Sequence, residues 1–470
     1  PPDRQPVLGL FHTRTRTDEA SQGRVAFVMA KDCCYAVDTV TGDLAWRRVV
    51  GFNSPFFPKT TSGAVPGLLV YDGNHRSLVC CQPATGKLIW RQKLDGRPRS
   101  APFIHEGQIY VPTDDRALCR IDLETGRLNE RVTFSQNIHG PPTLSPDGNH
   151  LLVPGEMAMI YALSLRPLAA AATTFTDHAA GSLSAPPLAL GKLLLLCEND
   201  KSDSANLRLW DVSNPKAPLV ELSSKAVRVR GQVRETPVLR GNQLVVPSSG
   251  EQLAAFSVTD EAGREGLAPV AQYRIREDED IEKRKGVAPG SKKDDGPLPP
   301  PAALPAGRVP LYVALGADRQ FWAASSAFRR FEIGADAIHM DSNSLALGIA
   351  SQQLQLIGDQ FYVGRKAPFH DAVVFSAIDR ERMVSPWRTV TGNRFLELTA
   401  ARDGGVVGIS EAGQIVSIGL DRLRRGGFDL RSSVELGLPG QLQQQLTTSS
   451  LHDGRMFLAA SGNVTQLYVI

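Results

Sequence analysis

Residues 35–46 read YAVDTVTGDLAW, and this stretch decides the fold. Tyr35-Ala36-Val37 is a short β-rich run, Asp38 and the Thr41-Gly42 pair mark a tight turn, and Trp46 follows on the return. The stretch recurs. QPATGKLIW carries Thr85, Gly86 and Trp90, and DLETGRLNE carries Asp122, Thr125 and Gly126, with Glu130 in the Trp place. The Thr-Gly pair returns after 44 and then 40 residues. A fainter copy, DRERMVSPW, keeps Asp379 and Trp387 at the same separation.

Chemistry explains the pattern. Glycine tolerates positive φ in a tight hairpin turn. An Asp side chain hydrogen-bonds the turn backbone. Trp offers a broad apolar plate to a neighbouring sheet. A second marker extends the count. A turn glycine introduces an apolar run at Gly23, Gly67, Gly107, Gly148, Gly191, Gly241, Gly307, Gly358, Gly404 and Gly454. A third marker is a proline before the turn, as in Ser100-Ala101-Pro102, Gly140-Pro141-Pro142, Ser184-Ala185-Pro186 and Glu235-Thr236-Pro237. Proline suits the start of a strand, where no ladder donor is needed.

Each unit therefore predicts a four-stranded sheet: one strand between the Pro and Gly markers, two after it, and one carrying the Trp position. Such a sheet cannot bury both faces alone, and a ring of them can. A period in the forties with short strands signals a propeller. The expectation is an all-β propeller of about eight blades, with ten repeat-like units counted. Residues 1–22 are expected to be an N-terminal closure segment, with three ways to account for the surplus units: Val7-Leu8-Gly9-Leu10-Phe11 supplies a missing strand, the chain includes part of a second propeller, or some later units are irregular insertions. Six units fill 23–276, a linker fills 277–309, and further units fill 310–470. The linker is densely charged and then Pro-rich (REDEDIEKRKGVAPGSKKDD, then GPLPPPAALP), which reads as solvated extended chain or as a docking strap for a partner.

The 470 residues carry 52 Lys+Arg against 49 Asp+Glu, a net charge of +3 that excludes a strongly basic nucleic-acid surface. Hydrophobic residues at 42% and charged residues at 21% exclude wholesale disorder. No apolar run of about 18 residues predicts a transmembrane segment. The chain begins with Pro1 and reads as a processed form or a fragment of a larger protein, so any signal peptide or lipid anchor, and any membrane association through it, would belong to missing parts. The six cysteines, Cys33, Cys34, Cys80, Cys81, Cys119 and Cys197, are too few for a disulfide scaffold and lack a zinc spacing.

The Tyr35–Trp46 copy and the Thr85-Gly86…Trp90 copy resemble the PQQ-like, quinoprotein-type repeat. That family holds quinoprotein alcohol dehydrogenases and a non-enzymatic propeller lipoprotein of the bacterial outer-membrane β-barrel assembly machine, nearest in character to this chain. The resemblance implies a propeller; the repeat is structural and does not itself imply bound quinone. In the dehydrogenases a vicinal disulfide lies against the cofactor beside calcium. Here Cys33-Cys34 and Cys80-Cys81 fall within strands, where Cys serves as a small hydrophobe. No carboxylate/Asn cluster marks a hard-cation site. The His370-Asp371 and His452-Asp453 pairs read as polar turns, and Arg422, Arg424 and Arg425 as an exposed basic loop.

The resemblance also implies that the Pro-marked strand is innermost. Residues just before that marker then line one channel mouth: Arg99, His139, Leu183 and Arg234, reinforced by Arg97, Arg228 and Arg230. Two Arg and one His on a funnel would attract an anionic ligand or an acidic partner loop. The expectation is a non-catalytic scaffold without cofactor or metal. It would bind an unidentified protein partner and no nucleic acid, in the bacterial envelope, with the cytoplasm also open. The alternative is a PQQ/calcium-dependent dehydrogenase, and a third reading is a carbohydrate- or small-anion-binding propeller.

Overall fold

The computed structural model describes residues 25–392 except 53, 62–65, 201–202, 223–226, 261–265, 276–309, 317–318, 346–349 and 367–372, together with the backbone of the strands between 395 and 469. Within these residues the regular elements are β-strands, paired into ten antiparallel sheets in chain order. The protein is an all-β, eight-bladed β-propeller: sheets 1 to 8 are the blades, and sheets 9 (395–435) and 10 (446–469) follow them. Among the described residues no helix is long and apolar enough to cross a membrane.

Sheet 2 shows the full pattern: a leading strand Lys59–Thr61, then Gly67–Asp72, Ser77–Cys81 and the outer strand Leu88–Lys93. Sheet 3 repeats it with Phe103–His105, Gln108–Thr113, Ala117–Asp122 and Leu128–Thr133. Sheets 4 (143–175), 6 (238–274), 7 (312–345) and 8 (355–391) also have four strands. In sheet 5 the outer edge is shared by Val220–Glu221 and Val227–Arg230. Sheet 1 shows only the second to fourth strands, Val25–Ala30, Cys33–Asp38 and Leu44–Val49. At its open edge the side-chain amide of Gln355 imitates a missing strand, accepting from Phe27 N at 3.0 Å and donating to Phe27 O at 2.6 Å. Val7–Phe11 and the 277–309 linker lie outside the described residues.

The second strands are apolar on both faces. Leu68, Leu69, Val70 and Tyr71 are all buried, as are Leu193 to Leu196. An isolated antiparallel sheet would alternate apolar and polar residues; a blade is covered on both sides. The chain forms two compact units, 1–93 with 355–470, and 94–354. In the first, Phe27, Cys34, Trp46, Leu68 and Val70 form the core between sheets 1 and 2. Val28, Tyr35, Tyr362 and Phe375 form the core between sheets 1 and 8. In the second, equivalent cores lie between successive sheets from 3 to 7.

The turns follow the expected chemistry. Gly42, Gly86 and Gly126 have φ of +74°, +67° and +73°. Asp38 Oδ1 accepts from Val40 N at 2.8 Å and Thr41 N at 3.0 Å, and Asp122 Oδ1 accepts from Thr125 N and Oγ1. Asp379 Oδ1 accepts likewise from Glu381 N and Arg382 N, so the faint fourth copy forms the same kind of turn. Gly107, Gly148, Gly241 and Gly358 sit between the leading and second strands at positive φ, with open space where a Cβ would stand. Gly67 differs from expectation. It is not a turn residue but opens a strand, and a Cβ there would meet Cys80 Sγ at 2.6 Å. Close approach, not backbone conformation, requires that glycine.

Candidate functional site

The repeat residues join sheets. Trp46 leaves its own sheet and lies over the turn of sheet 2: its Nε1 donates to Pro83 O at 2.7 Å, and a Cβ on Gly86 would stand 2.7 Å from its Cδ2. Trp387 repeats this on sheet 1, with Nε1 donating to Thr39 O at 3.1 Å and Cδ2 at 2.8 Å from the Cβ position of Gly42. The faint copy at 379–387 thus supplies the plate that seats sheet 8 on sheet 1. Trp90 is buried at the matching position of sheet 2. Thr85 Oγ1 donates to Gln82, which replaces the turn Asp in that copy.

Between sheets 3 and 4 the joint is polar. Glu130 occupies the Trp position and accepts from Leu168 N at 2.9 Å. Arg120 pairs with Glu130 at 3.2 Å and donates to Leu165 O at 2.7 Å. A cleft of about 170 Å³ opens beside this ion pair, lined by Glu106, Gln108, Tyr110, Arg120, Asn129, Leu165 and Arg166. Arg166 bridges its mouth to Glu106 at 2.5 Å.

The proposed mouth residues fall on equivalent backbone positions in consecutive sheets. Arg99 N donates to Pro112 O and His139 N to Pro154 O, each four residues before its leading strand. Arg234 stands four residues before Val238–Arg240. The matching residue of sheet 5 is Ser184, four before Leu188–Leu190, and not Leu183. Leu183 is 3% exposed and belongs with buried Ile138 and Val233 one position earlier. Arg99 and His139 share a neighbour the sequence did not flag: Glu156 lies 3.9 Å from Arg99 and accepts from Asn137 Nδ2 at 2.7 Å. Burial, and then Arg99, hold the His139 imidazole below its ordinary value, favouring the neutral ring. Arg234 turns to Gln232, donating to Oε1 at 2.6 Å. Arg228 does not reinforce the mouth. It lies on the outer edge of sheet 5, paired with Asp200 at 2.6 Å.

The adjacent cysteines point to opposite faces, as neighbours in a strand must. Cys33 joins the core against sheet 8, and Cys34 the core against sheet 2. They are free thiols, and burial pushes Cys33 and Cys80 up to about 12. This placement does not fit a vicinal disulfide facing a quinone. Among the described residues no group of three His, Cys, Asp or Glu is placed to hold a metal ion. His370, Asp371, Asp453, Arg422, Arg424 and Arg425 lie outside the described residues.

Comparison with known proteins agrees with this geometry. Residues 30–166 match the family model described as outer membrane protein assembly factor BamB. No curated protein matches the chain. Among solved structures, BamB from Moraxella catarrhalis is similar at a TM-score of 0.50 and 11% identity, covering 73% of this chain and 91% of that one. The computationally designed Ika8 protein is similar at a TM-score of 0.42 and 10% identity, covering 80% and 98%. The matched segment contains the three Thr-Gly turns at Gly42, Gly86 and Gly126, together with Trp46 and Trp90. The chain is an eight-bladed β-propeller in which residues 30–166 match the PQQ-like repeat model of BamB.

Proposed function

We propose that the protein is a non-catalytic propeller scaffold that binds a protein partner in the bacterial cell envelope. One observation carries the reading: the BamB-type repeats coincide with sheets whose marked residues are spent on inter-sheet joints. What is left to act on other molecules is rim and mouth chemistry. Arg99 and His139 of the row Arg99, His139, Ser184 and Arg234 are held by backbone hydrogen bonds to the neighbouring strands. With His139 neutral, Arg99 and Arg234 supply the charge, and Glu156 offsets Arg99 in part. Such a surface favours an acidic loop of a partner, charge setting encounter and apolar contacts setting affinity. Pull-down from envelope extract with the wild-type chain and with Arg99→Glu/Arg234→Glu tests this. Reduced recovery of a specific partner is expected; unchanged recovery removes the mouth from the interaction.

A further inference from the structure

One row of residues across sheet 3 departs from its counterparts at two neighbouring positions. In sheet 1 the row runs Phe27, Ala36, Trp46, and in sheet 2 Leu69, Cys80, Trp90. In sheet 8 Tyr362 stands opposite Ala377, whose N–H donates to Trp387 O. Each row sets a small residue beside the Trp plate. Sheet 3 reads Tyr110, Arg120, Glu130. A guanidinium takes the small place and a carboxylate the place of the plate, and the cleft of about 170 Å³ opens there. Tyr110 and Tyr362 are equivalent, each third in its strand, Gln108–Thr113 or Gln360–Lys366. The Tyr362 hydroxyl donates to Gln360 Oε1 at 2.9 Å, with Thr39 O of sheet 1 at 3.3 Å, and the Trp387 ring lies 5.9 Å from its own. Tyr110 is 2% exposed, yet its hydroxyl makes no hydrogen bond among the described residues. Both counterpart acceptors are engaged elsewhere: Leu165 O, on the matching turn of sheet 4, accepts from Arg120, and Gln108 Oε1 accepts from Asn129 Nδ2 at 3.1 Å. The phenol oxygen instead reaches the cleft.

A buried polar group without a protein partner is costly unless water or a ligand answers it. We propose that the cleft between sheets 3 and 4 binds one neutral pyranose sugar unit, with the Tyr110 hydroxyl and the Asn129 side-chain amide as its hydrogen-bonding groups. The charges around the cleft cancel in pairs, Arg120 with Glu130 at 3.2 Å and Arg166 with Glu106 at 2.5 Å. An ionic ligand would compete with one of these pairs, and a neutral one leaves both intact. Sugar hydroxyls both donate and accept, which suits the groups left over. The Tyr110 hydroxyl does both, and Asn129 Oδ1 accepts and has no hydrogen bond among the described residues. Leu165 and the Tyr110 ring, both buried, supply an apolar wall for the C–H groups of a sugar ring. The volume equals that of about six water molecules at liquid density, enough for one sugar ring and below the several hundred Å³ of sites for larger ligands. A polyol replaces the hydrogen bonds of the water it displaces, which an apolar ring of the same size does not. The sugar can be free or the end of a glycan; the recognition chemistry is the same.

Saturation-transfer NMR of the full chain with D-glucose, D-galactose and D-mannose, and with cyclohexanol and inorganic phosphate as controls, tests the assignment. At least one hexose should receive saturation from the wild-type protein, and cyclohexanol should not. Tyr110→Phe should weaken binding of that hexose about three- to tenfold, the worth of one neutral hydrogen bond, and Asn129→Ala by a similar factor. Tyr110→Phe should leave the melting temperature unchanged, because no protein hydrogen bond is lost, whereas Tyr362→Phe should lower it. Absence of transfer to all three hexoses overturns the proposal, as does transfer undiminished in both variants. Displacement of the hexose by phosphate, or equal binding of cyclohexanol, overturns the choice of a neutral polyol. If Tyr110→Phe does not fold, Asn129→Ala decides alone, since that side chain is exposed. The methyl glycosides of the preferred hexose separate the sources: retained binding assigns the end of a glycan, and lost binding assigns a free sugar. Arg99→Glu/Arg234→Glu does not alter the cleft, so this inference and the proposed function fail separately.

Discussion

Two joints of this propeller solve one problem with different chemistry. Where sheet 1 meets sheet 2, a Trp plate covers the turn glycine and donates one hydrogen bond to the turn backbone. Where sheet 3 meets sheet 4, Glu130 reaches a backbone N–H, Arg120 neutralises it, and a cleft remains beside them. The aromatic joint gains chiefly by removing apolar area from water and is insensitive to salt. The ionic joint gains only what its hydrogen bonds exceed in desolvation. The repeat thus specifies where a joint is made, while one residue decides whether it is sealed or left open.

The largest expected effect comes from breaking the aromatic joint. Trp46 is 5% exposed, and Trp46→Ala should cost about 3–5 kcal/mol in denaturant unfolding. Trp387→Ala should cost somewhat less, because that ring is only partly buried. A loss below about 1 kcal/mol for Trp46→Ala would mean that the plates contribute little. Gly86→Ala attacks the same joint from the other side. The new methyl meets the indole at 2.7 Å in a left-handed backbone conformation, for an expected cost of about 2–4 kcal/mol. Gly148→Ala isolates the backbone part, since φ is +70° and no atom lies within 4 Å; about 1 kcal/mol is expected. Equal losses at both glycines would show that the ring yields freely.

At the ionic joint, Glu130→Ala leaves Leu168 N–H without its acceptor and Arg120 without its carboxylate, at about 1–2 kcal/mol. Raising the salt concentration should reduce the difference between wild type and Glu130→Ala, and leave that between wild type and Trp46→Ala unchanged. Thermal unfolding at low and high salt checks both arms.

The joints were legible in sequence because their parts are local and periodic: a turn Asp, a positive-φ glycine and a plate eight residues after the Asp. Even the degenerate 379–387 copy could be placed from the Asp–Trp separation alone. Ten glycine markers did not separate the eight blades from the two sheets behind them, because all ten follow the same strand rhythm. The row of equivalent positions before the leading strands was legible to within one residue. Pro186 is followed by Pro187, and the second proline abuts the strand, so counting back from the first chose buried Leu183 over Ser184. Glu156, the counter-charge of Arg99, carried no signal. It sits on the turn between the second and third strands of another sheet, and only the pairing of those strands brings it near.

The polar region of unit 94–354 should also respond to pH where the aromatic joints do not. His178 is 2% exposed, its Nδ1 lies 2.7 Å from Thr176 Oγ1, and its Nε2 lies 3.2 Å from Gly155 O. Burial, ahead of every other influence, lowers the affinity of this ring for a proton, and His139 is lowered in the same sense. In the unfolded chain each ring titrates near its ordinary value of about 6.5. Below that value the unfolded state binds protons that the folded state resists, so acidification favours unfolding. The contribution is complete above about pH 6.5 and is lost as the pH falls toward the lowered folded-state values. The melting temperature should therefore be level with respect to these histidines above neutrality and decline below about pH 6.5. His178→Asn should start from a lower melting temperature, because the asparagine is shorter and cannot keep both hydrogen bonds, and its decline should be shallower. Trp46→Ala should run parallel to wild type across the same range. A His178→Asn curve as steep as wild type would move the pH sensitivity to other groups; a change of slope in Trp46→Ala would mean that the aromatic joint is coupled to a titrating neighbour after all.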